Sequence, residues 1–238
     1  MTLIYNENLI REFFAEIMPP LEKDEVYLTM AQARRKYAEI LLVGHDPVTA
    51  KKLLRTNNLE TVIQKIRQLD AMAQQSYIKE TELKIPLKAI VLFCDVNPKS
   101  MSQGFIKTMG LFTQELFKIK ADSPDAWEAF RKLDLRLASN VHKSNSRILY
   151  LVLDVDVKDF LALVEIDKLF EENIKWISET RGGYHVILKH SKEVAKTLYP
   201  RLMDSSLAER YDIDLARMTP IPGTIQGGFK VKRIIIGS

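Results

Sequence analysis

Hydrophobic and polar positions divide the chain into segments of recognisable period. Residues 7–19 carry apolar side chains at helical spacing and stop at Pro19-Pro20. "DEVYLTMA" (24–31) reads as a strand leading into a basic helix from Gln32. Helices are expected over 47–55 and 58–77, with Asp46-Pro47 and Asn57-Asn58 as their starts. "PLKAIVLFCDV" (86–96) is apolar throughout, which predicts a central strand. A helix then runs from "NPKSM" to about Lys118, and another covers 124–142.

The second half has a different texture. Strand 147–156 precedes a helix over 157–171, and "IKWISET" (174–180) and "GYHVILKH" (183–190) form a hairpin around "RGG". A helix from 191 to about 203 follows, with Pro200 near its end. "YDIDLARM" (211–218), the turn-rich "TPIPGTIQGG" (219–228) and a last strand, "KVKRIIIG", complete the chain. The expected fold is α/β (α+β), two modules packed as one unit, with a mixed or antiparallel sheet in the second.

One strand breaks its own pattern. "RILYLVLDVDV" (147–157) is apolar until Asp154 and Asp156. Residues two apart share a strand face, so the two carboxylates point one way while Leu151, Leu153 and Val155 point the other. Such a pair repels unless a cation lies between its members, and hard oxygen donors favour Mg²⁺ or Mn²⁺ over zinc. The plainer alternative is a solvated strand end, with Asp156 capping the helix that begins near Val157.

Composition narrows the choice without deciding it. At 46% hydrophobic and 28% charged, the 238 residues are enough to bury a core. No apolar run is long enough to span a membrane, and "MTLIYNENLIREFF" lacks a signal-peptide pattern, so a cytoplasmic protein with no membrane partner is expected. A single cysteine, Cys94, excludes an internal disulfide and an all-cysteine zinc site. The net charge of +4 is compatible with nucleic-acid binding. Basic residues gather in "ARRKY" (33–37), "VHKSNSR" (141–147) and "FKVKR" (229–233), each of which alone reads first as a solvated surface.

Two further stretches carry matching chemistry. His185 and Lys189 share a face of the second hairpin strand, an imidazole and an ammonium suited to a phosphate chain, beside glycines that let a ligand approach the backbone. "YDIDLARMTPIPGT" supplies Asp212 and Asp214, then Arg217 and a Pro-Gly-Thr turn. Carboxylates for two metals, with His, Lys and Arg for a triphosphate, are the parts of two-metal phosphoryl transfer, in which the ions lie roughly 3.5–4 Å apart.

In this order the motifs resemble the archaeo-eukaryotic primase superfamily, in its CRISPR-associated and mobile-element primase-polymerase branch. "LVLDVD" looks like the family's Asp-x-Asp strand, "GYH" (183–185) like its small-x-His strand, and "YDID" like the strand bearing its third acid. The likeness is clearest over 140–238 and extends more loosely to "ARRKY" and "VLFCDVNPKS". It implies an N-terminal α/β module (1–145), a C-terminal module like an RNA-recognition motif (146–238), and an active site in the cleft between them. It implies template-directed nucleotidyl transfer from dNTPs or NTPs, primer synthesis on single-stranded DNA, and two Mg²⁺ or Mn²⁺ ions. Asp154 and Asp156 would hold metal with Asp214 or Asp212 as third ligand, and His185 would contact the triphosphate, with Lys189, Arg217, Arg181 and Lys143 as basic partners. Arg34, Arg35, Lys36, Arg147 and Gln226 are candidates for the nucleic acid, since phosphate contacts carry much of such affinity. The chain ends at "IIIGS", without the helical C-terminal domain that many such primases use for initiation, as expected of a catalytic core cut from something longer.

Two readings from other classes stay open. "RGGYHVIL" superficially resembles an aromatic-bearing strand of a non-enzymatic RNA-binding module, although Asp154 and Asp156 would then repel the phosphates. A two-metal nuclease would use the carboxylates but has less need of His185, Lys189 and Arg217.

Overall fold

The computed structural model describes residues 2–38, 47–76, 84–117 and 133–236. Helix α1 (Glu7–Ile17) starts on Asn6, whose side chain accepts from the Leu9 amide, and buries Ile10, Phe13, Phe14 and Ile17. Strand β1 (Glu25–Ala33) is followed by a 3₁₀ turn at Arg35–Tyr37, β2 (Val48–Leu54), α2 (Leu59–Gln74), β3 (Ile90–Cys94) and β4 (Lys99–Ser100). Helices α3 (Met101–Leu116) and α4 (Leu133–His142) pack on one another. Strand β5 (Tyr150–Val155), α5 (Phe160–Phe170), β6 (Ile174–Glu179) and β7 (Tyr184–Lys189) come next. A π-turn (Val194–Leu198), α6 (Tyr199–Met203) and α7 (Ser206–Arg210) lead to β8 (Ile213–Ala216). Short strands β9 (Thr219–Pro220), β10 (Ile225–Gln226), β11 (Phe229–Lys230) and β12 (Lys232–Ile234) end the described chain.

The fold is α+β, built on two antiparallel sheets. The first has the order β2-β1-β3-β9, with β4 paired to β1; the second has the order β12-β6-β7-β5-β8. The second module thus runs β-α-β-β-α-β, with its first strand between its third and fourth. Expected boundaries are crossed late in the chain. After residue 216 the backbone returns to the first sheet, where Thr219 and Pro220 pair with Cys94 and Phe93, and then rejoins the second as β12.

The strand expected at 86–96 is present as β3, between β1 and β9. Two expectations for the first half differ from the structure. Residues 47–55 form not a helix but β2, which pairs antiparallel with β1. The basic helix from Gln32 is replaced by continuation of β1 through Ala33 and the single 3₁₀ turn. The cause is common to both: β1 needs partners on both sides, and pairing along its length outweighs the weak local preference of "VTAKKLL". The 124–132 part of the last helix expected in that half lies outside the described residues; 133–142 is helical.

Each face of β5 serves a different core. Leu153 and Val155 pack with Leu163, Ile166 and Phe170 of α5 and with Val186 and Leu188 of β7. Tyr150 and Val152, on the opposite face, join Trp176 and Ile187 in the core built on α1, α2 and the first sheet. Phe13 meets the Trp176 ring edge-on at 5.1 Å, and Arg233 lies 4.1 Å over that ring while pairing with Glu12 and Glu16 of α1.

The start of β5 is fixed from the other module. The Asn97 carboxamide oxygen accepts from the amides of Leu149 (2.7 Å) and Tyr150 (2.9 Å), and its nitrogen donates to the Tyr150 carbonyl (3.0 Å). One side chain therefore stands in for a neighbouring strand. Asn97→Ala should lower stability by about 1–3 kcal/mol, because two partly buried amides and a carbonyl lose their partner. A denaturant titration checks this; a midpoint within error of the parent would show that β5 is held elsewhere.

Candidate active site

Register brings the singled-out residues into one row. Asp154 lies directly opposite His185 on β7 and directly opposite Asp214 on the edge strand β8, and His185 in turn lies opposite Ser178. Directly opposed residues share a face, so Ser178, His185, Asp154 and Asp214 line up across four strands. One row back on that face, Trp176, Ile187 and Val152 are core. The polar row begins where the core ends.

His185 and Asp154 of that row lie on one wall of an open cleft of about 320 Å³ between the two sheets. The facing wall is a row of the first sheet, Lys51 opposite Met30 and Met30 opposite Phe93, with Gln32 and Val48 next along. Arg34, Lys36, His142, Arg217 and Gln226 line it too, with Asp154, Asp156, Thr180, Gly182, His185 and the apolar Ala216 and Met218. The cleft thus joins both modules.

Asp154 and His185 form its most constrained pair. His185 is 6% exposed and its Nε2 lies 3.2 Å from the Asp154 Oδ1, while its buried Nδ1 has no hydrogen-bond partner. Burial pushes the Asp154 carboxyl up, but the His185 hydrogen bond and the charges of His185, Lys36 and Arg34 outweigh it and hold the carboxyl below its ordinary value. Asp154 is therefore anionic at neutral pH with a second carboxylate opposite it. Like charges directly opposed on neighbouring strands are destabilising, and a cation between them removes the repulsion.

Asp156 is exposed and lines the cleft one step beyond Asp154. It does not cap the following helix; Asp159 does, accepting from the Leu161 amide at 2.9 Å. Asp212 sits at a left-handed φ of 47°, and its carbonyl accepts from the Asp156 amide, which ends the β5–β8 ladder. Asp214 is exposed and does not line the cleft, yet of the two it is the one in register with Asp154. Among the described residues no three His, Cys, Asp or Glu side chains converge closely enough to hold a metal ion. What fits a hard divalent cation is the donor chemistry and the register, with Asp154 turned toward His185.

The remaining candidates divide sharply. Arg34, Lys36 and Arg217 line the cleft. Arg35 and Lys143 are exposed beside it without lining it. Arg181 is spent on structure: it lies 4.6 Å over the Tyr37 ring, its guanidinium donates to the Gly227 carbonyl, and its amide donates to the Gln226 side chain. Gln226 is thereby a brace for the "RGG" turn. Lys189 shares the His185 face but lies four residues away, ~13 Å along the strand, exposed beyond the core row. Arg147 is also remote from the cleft, holding buried Glu25 through two hydrogen bonds of 2.9 and 2.8 Å.

Lys51 and His142 were not legible as site residues. Lys51 reaches the cleft only because residues 48–54 form a strand, and His142 because α4 ends there. The two glycines have separate duties. A Cβ on Gly183 would lie 1.8 Å from the Val155 carbonyl oxygen, so this glycine serves contact with β5 rather than with a ligand. Gly182 lies beside the Asp156 carboxylate, where a Cβ would come within 3.2 Å of Oδ1. No family model, curated protein or solved structure matches the chain.

Gly183→Ala should destabilise by about 2 kcal/mol or more, since a backbone strand must shift to admit the methyl group; thermal unfolding reads this directly. Arg147→Met tests the structural role of that arginine. Burial pushes the Glu25 carboxyl up, but the Arg147 hydrogen bond and other partners bring it below its ordinary 4.5. A depressed carboxyl stabilises the fold above its unfolded value, and this contribution disappears as pH falls through the folded value. The variant should therefore be less stable by about 2 kcal/mol at pH ~7, with the difference narrowing below pH ~4.5. A constant difference across that range would remove Glu25 from the explanation.

Proposed function

We propose that the chain is the catalytic core of a primase-polymerase of the archaeo-eukaryotic primase kind, joining dNTPs or NTPs on a single-stranded DNA template. The carrying observation is the row of Asp154 opposite Asp214, with His185 bound to Asp154 and Asp156 one step on, at the mouth of a cation-lined cleft. The β-α-β-β-α-β order of the second module is that of an RNA-recognition motif, which supports the two-module arrangement this family uses.

Each residue has a duty in that reaction. Asp154, Asp156 and Asp214 would hold two divalent ions, Mg²⁺ or Mn²⁺. When bound, such ions stabilise the attacking and leaving oxygens of phosphoryl transfer. His185, held by Asp154 through Nε2, keeps a buried nitrogen beside the cleft and orients the carboxylate. Arg34 and Lys36, whose charges act on Asp154, supply positive charge for the triphosphate, and the Met30–Phe93 row offers an apolar surface on which a base can lie. Carboxylates facing the cleft argue against the purely nucleic-acid-binding module, since they would repel phosphates without metal.

Asp154→Ala should reduce primer extension on single-stranded DNA, with Mn²⁺ or Mg²⁺ present, by at least about 10³-fold while leaving the unfolding transition cooperative. Retained synthesis in the variant would remove the site assignment. Degradation of the template by the parent protein, with no product, would favour a nuclease instead.

A further inference from the structure

The charges in the cleft are segregated. Those acting most strongly on Asp154 belong to His185, Lys36 and Arg34. Those acting on His142 belong to Lys99, Lys51, Arg217 and Lys143, a different set with no carboxylate among them. Four chain segments contribute these cations: β2, β4, the residue after α4, and the crossover from β8 to β9.

Lys99 is already neutralised. It is 1% exposed, lies 2.5 Å from the equally buried Asp95 and also binds Asn145. Among the described residues no ion pair engages Lys51, Lys143 or Arg217; the carboxylate whose charge Arg217 feels, Asp95, is already paired with Lys99. Burial and the neighbouring Lys143 lower the Lys51 ammonium below its ordinary value. His142 Nε2 is buried without a hydrogen-bond partner although its side chain lines the cleft. The α3 residues that meet α4 just before it, Gly104 against Val141 and Thr108 bonded to Asn140, carry no charge. A set of cations outside any ion pair, around an imidazole nitrogen without a hydrogen-bond partner and open to a cleft, is arranged for an anion.

We propose that Lys51, His142 and Arg217 in the cleft, with Lys143 at its edge, form a second subsite, which takes a terminal phosphate or polyphosphate group and gains a proton at His142 as it does so. A dianion matches this cluster better than the single charge of a backbone phosphodiester. Burial, then the four cations, push the empty imidazole down to about 4, so it is neutral at pH 7. An arriving phosphate cancels the repulsion, and Nε2 becomes a donor to one of its oxygens. The bound imidazole therefore titrates higher than the free one, so the extra affinity is present below the bound value and disappears as pH rises through it. The subsite needs neither metal nor synthesis, and its failure is therefore separable from failure of the polymerase reading.

Calorimetric titration with tripolyphosphate, in EDTA and without template, tests it between pH ~6 and ~8 in two buffers of different ionisation enthalpy. The parent should take up more protons than His142→Gln, the ligand's own titration being common to both. Lys143→Gln, at an exposed position safe for folding, and Lys51→Gln should each weaken binding by about threefold to tenfold. Asp154→Ala should retain it. Short oligonucleotides with 5′-phosphate or 5′-hydroxyl ends distinguish the source. A phosphate preference that disappears in Lys143→Gln assigns the subsite to a strand end, and no preference with tripolyphosphate binding intact assigns it to a nucleotide's tail. Equal tripolyphosphate binding by the parent and the His142→Gln, Lys143→Gln and Lys51→Gln variants, or equal proton uptake by the parent and His142→Gln, overturns the proposal.

Discussion

The register of β5 between β7 and β8 is the constraint on which the rest depends. Side chains alternate along a strand, so a slip of one residue would turn Asp154 into the α5 core and Leu153 into the cleft. Several contacts forbid it. The Asn97 carboxamide fixes the first residues of β5, Gly183 sits flush against its last carbonyl, and apolar packing differs on its two faces. The same contacts that hold the fold therefore aim the carboxylates.

A single sheet face passes from core to cleft within one row. Trp176, Ile187 and Val152 are packed against the first module, and the adjacent Ser178, His185, Asp154 and Asp214 are where that packing stops. The first module answers with Lys51, Met30 and Phe93. Because the chain crosses between the sheets again at 217–219 and at 231–232, the walls are tied together covalently as well as by the Arg233–Glu12 and Arg147–Glu25 pairs. An interface of this kind sets the width of the cleft and the spacing of its charges.

Electrostatics follow from that arrangement. Asp154 is kept ionised by His185, Lys36 and Arg34 despite its partial burial, while His142 is kept neutral by burial and then by a different set of cations. The same cleft thus stabilises an anion at one end and prevents a cation at the other. No helix among the described residues is long and apolar enough to cross a membrane.

Much of the second half was legible in the sequence, because its strands announce themselves locally. The alternation in "LVLDVDV", the "RGG" turn and "YDID" put Asp154, His185 and Asp214 on strands without reference to anything distant, whereas Asp212, expected on the same strand as Asp214, falls in the turn before β8. The first half was less legible where tertiary pairing overruled local preference: "VTAKKLL" carries no decisive period, and only pairing with β1 makes it a strand and puts Lys51 in the cleft. Charge alone also misled. Arg147 and Arg181 look like ligands for phosphate, but Glu25 and the Gly227 carbonyl already engage them, which no one-dimensional pattern discloses. The sequence by itself determined which residues alternate, and hence that Asp154 and Asp156 share a face. Tertiary structure decided which strand lies opposite them, because cross-strand register depends on packing and turns far from the residues it aligns.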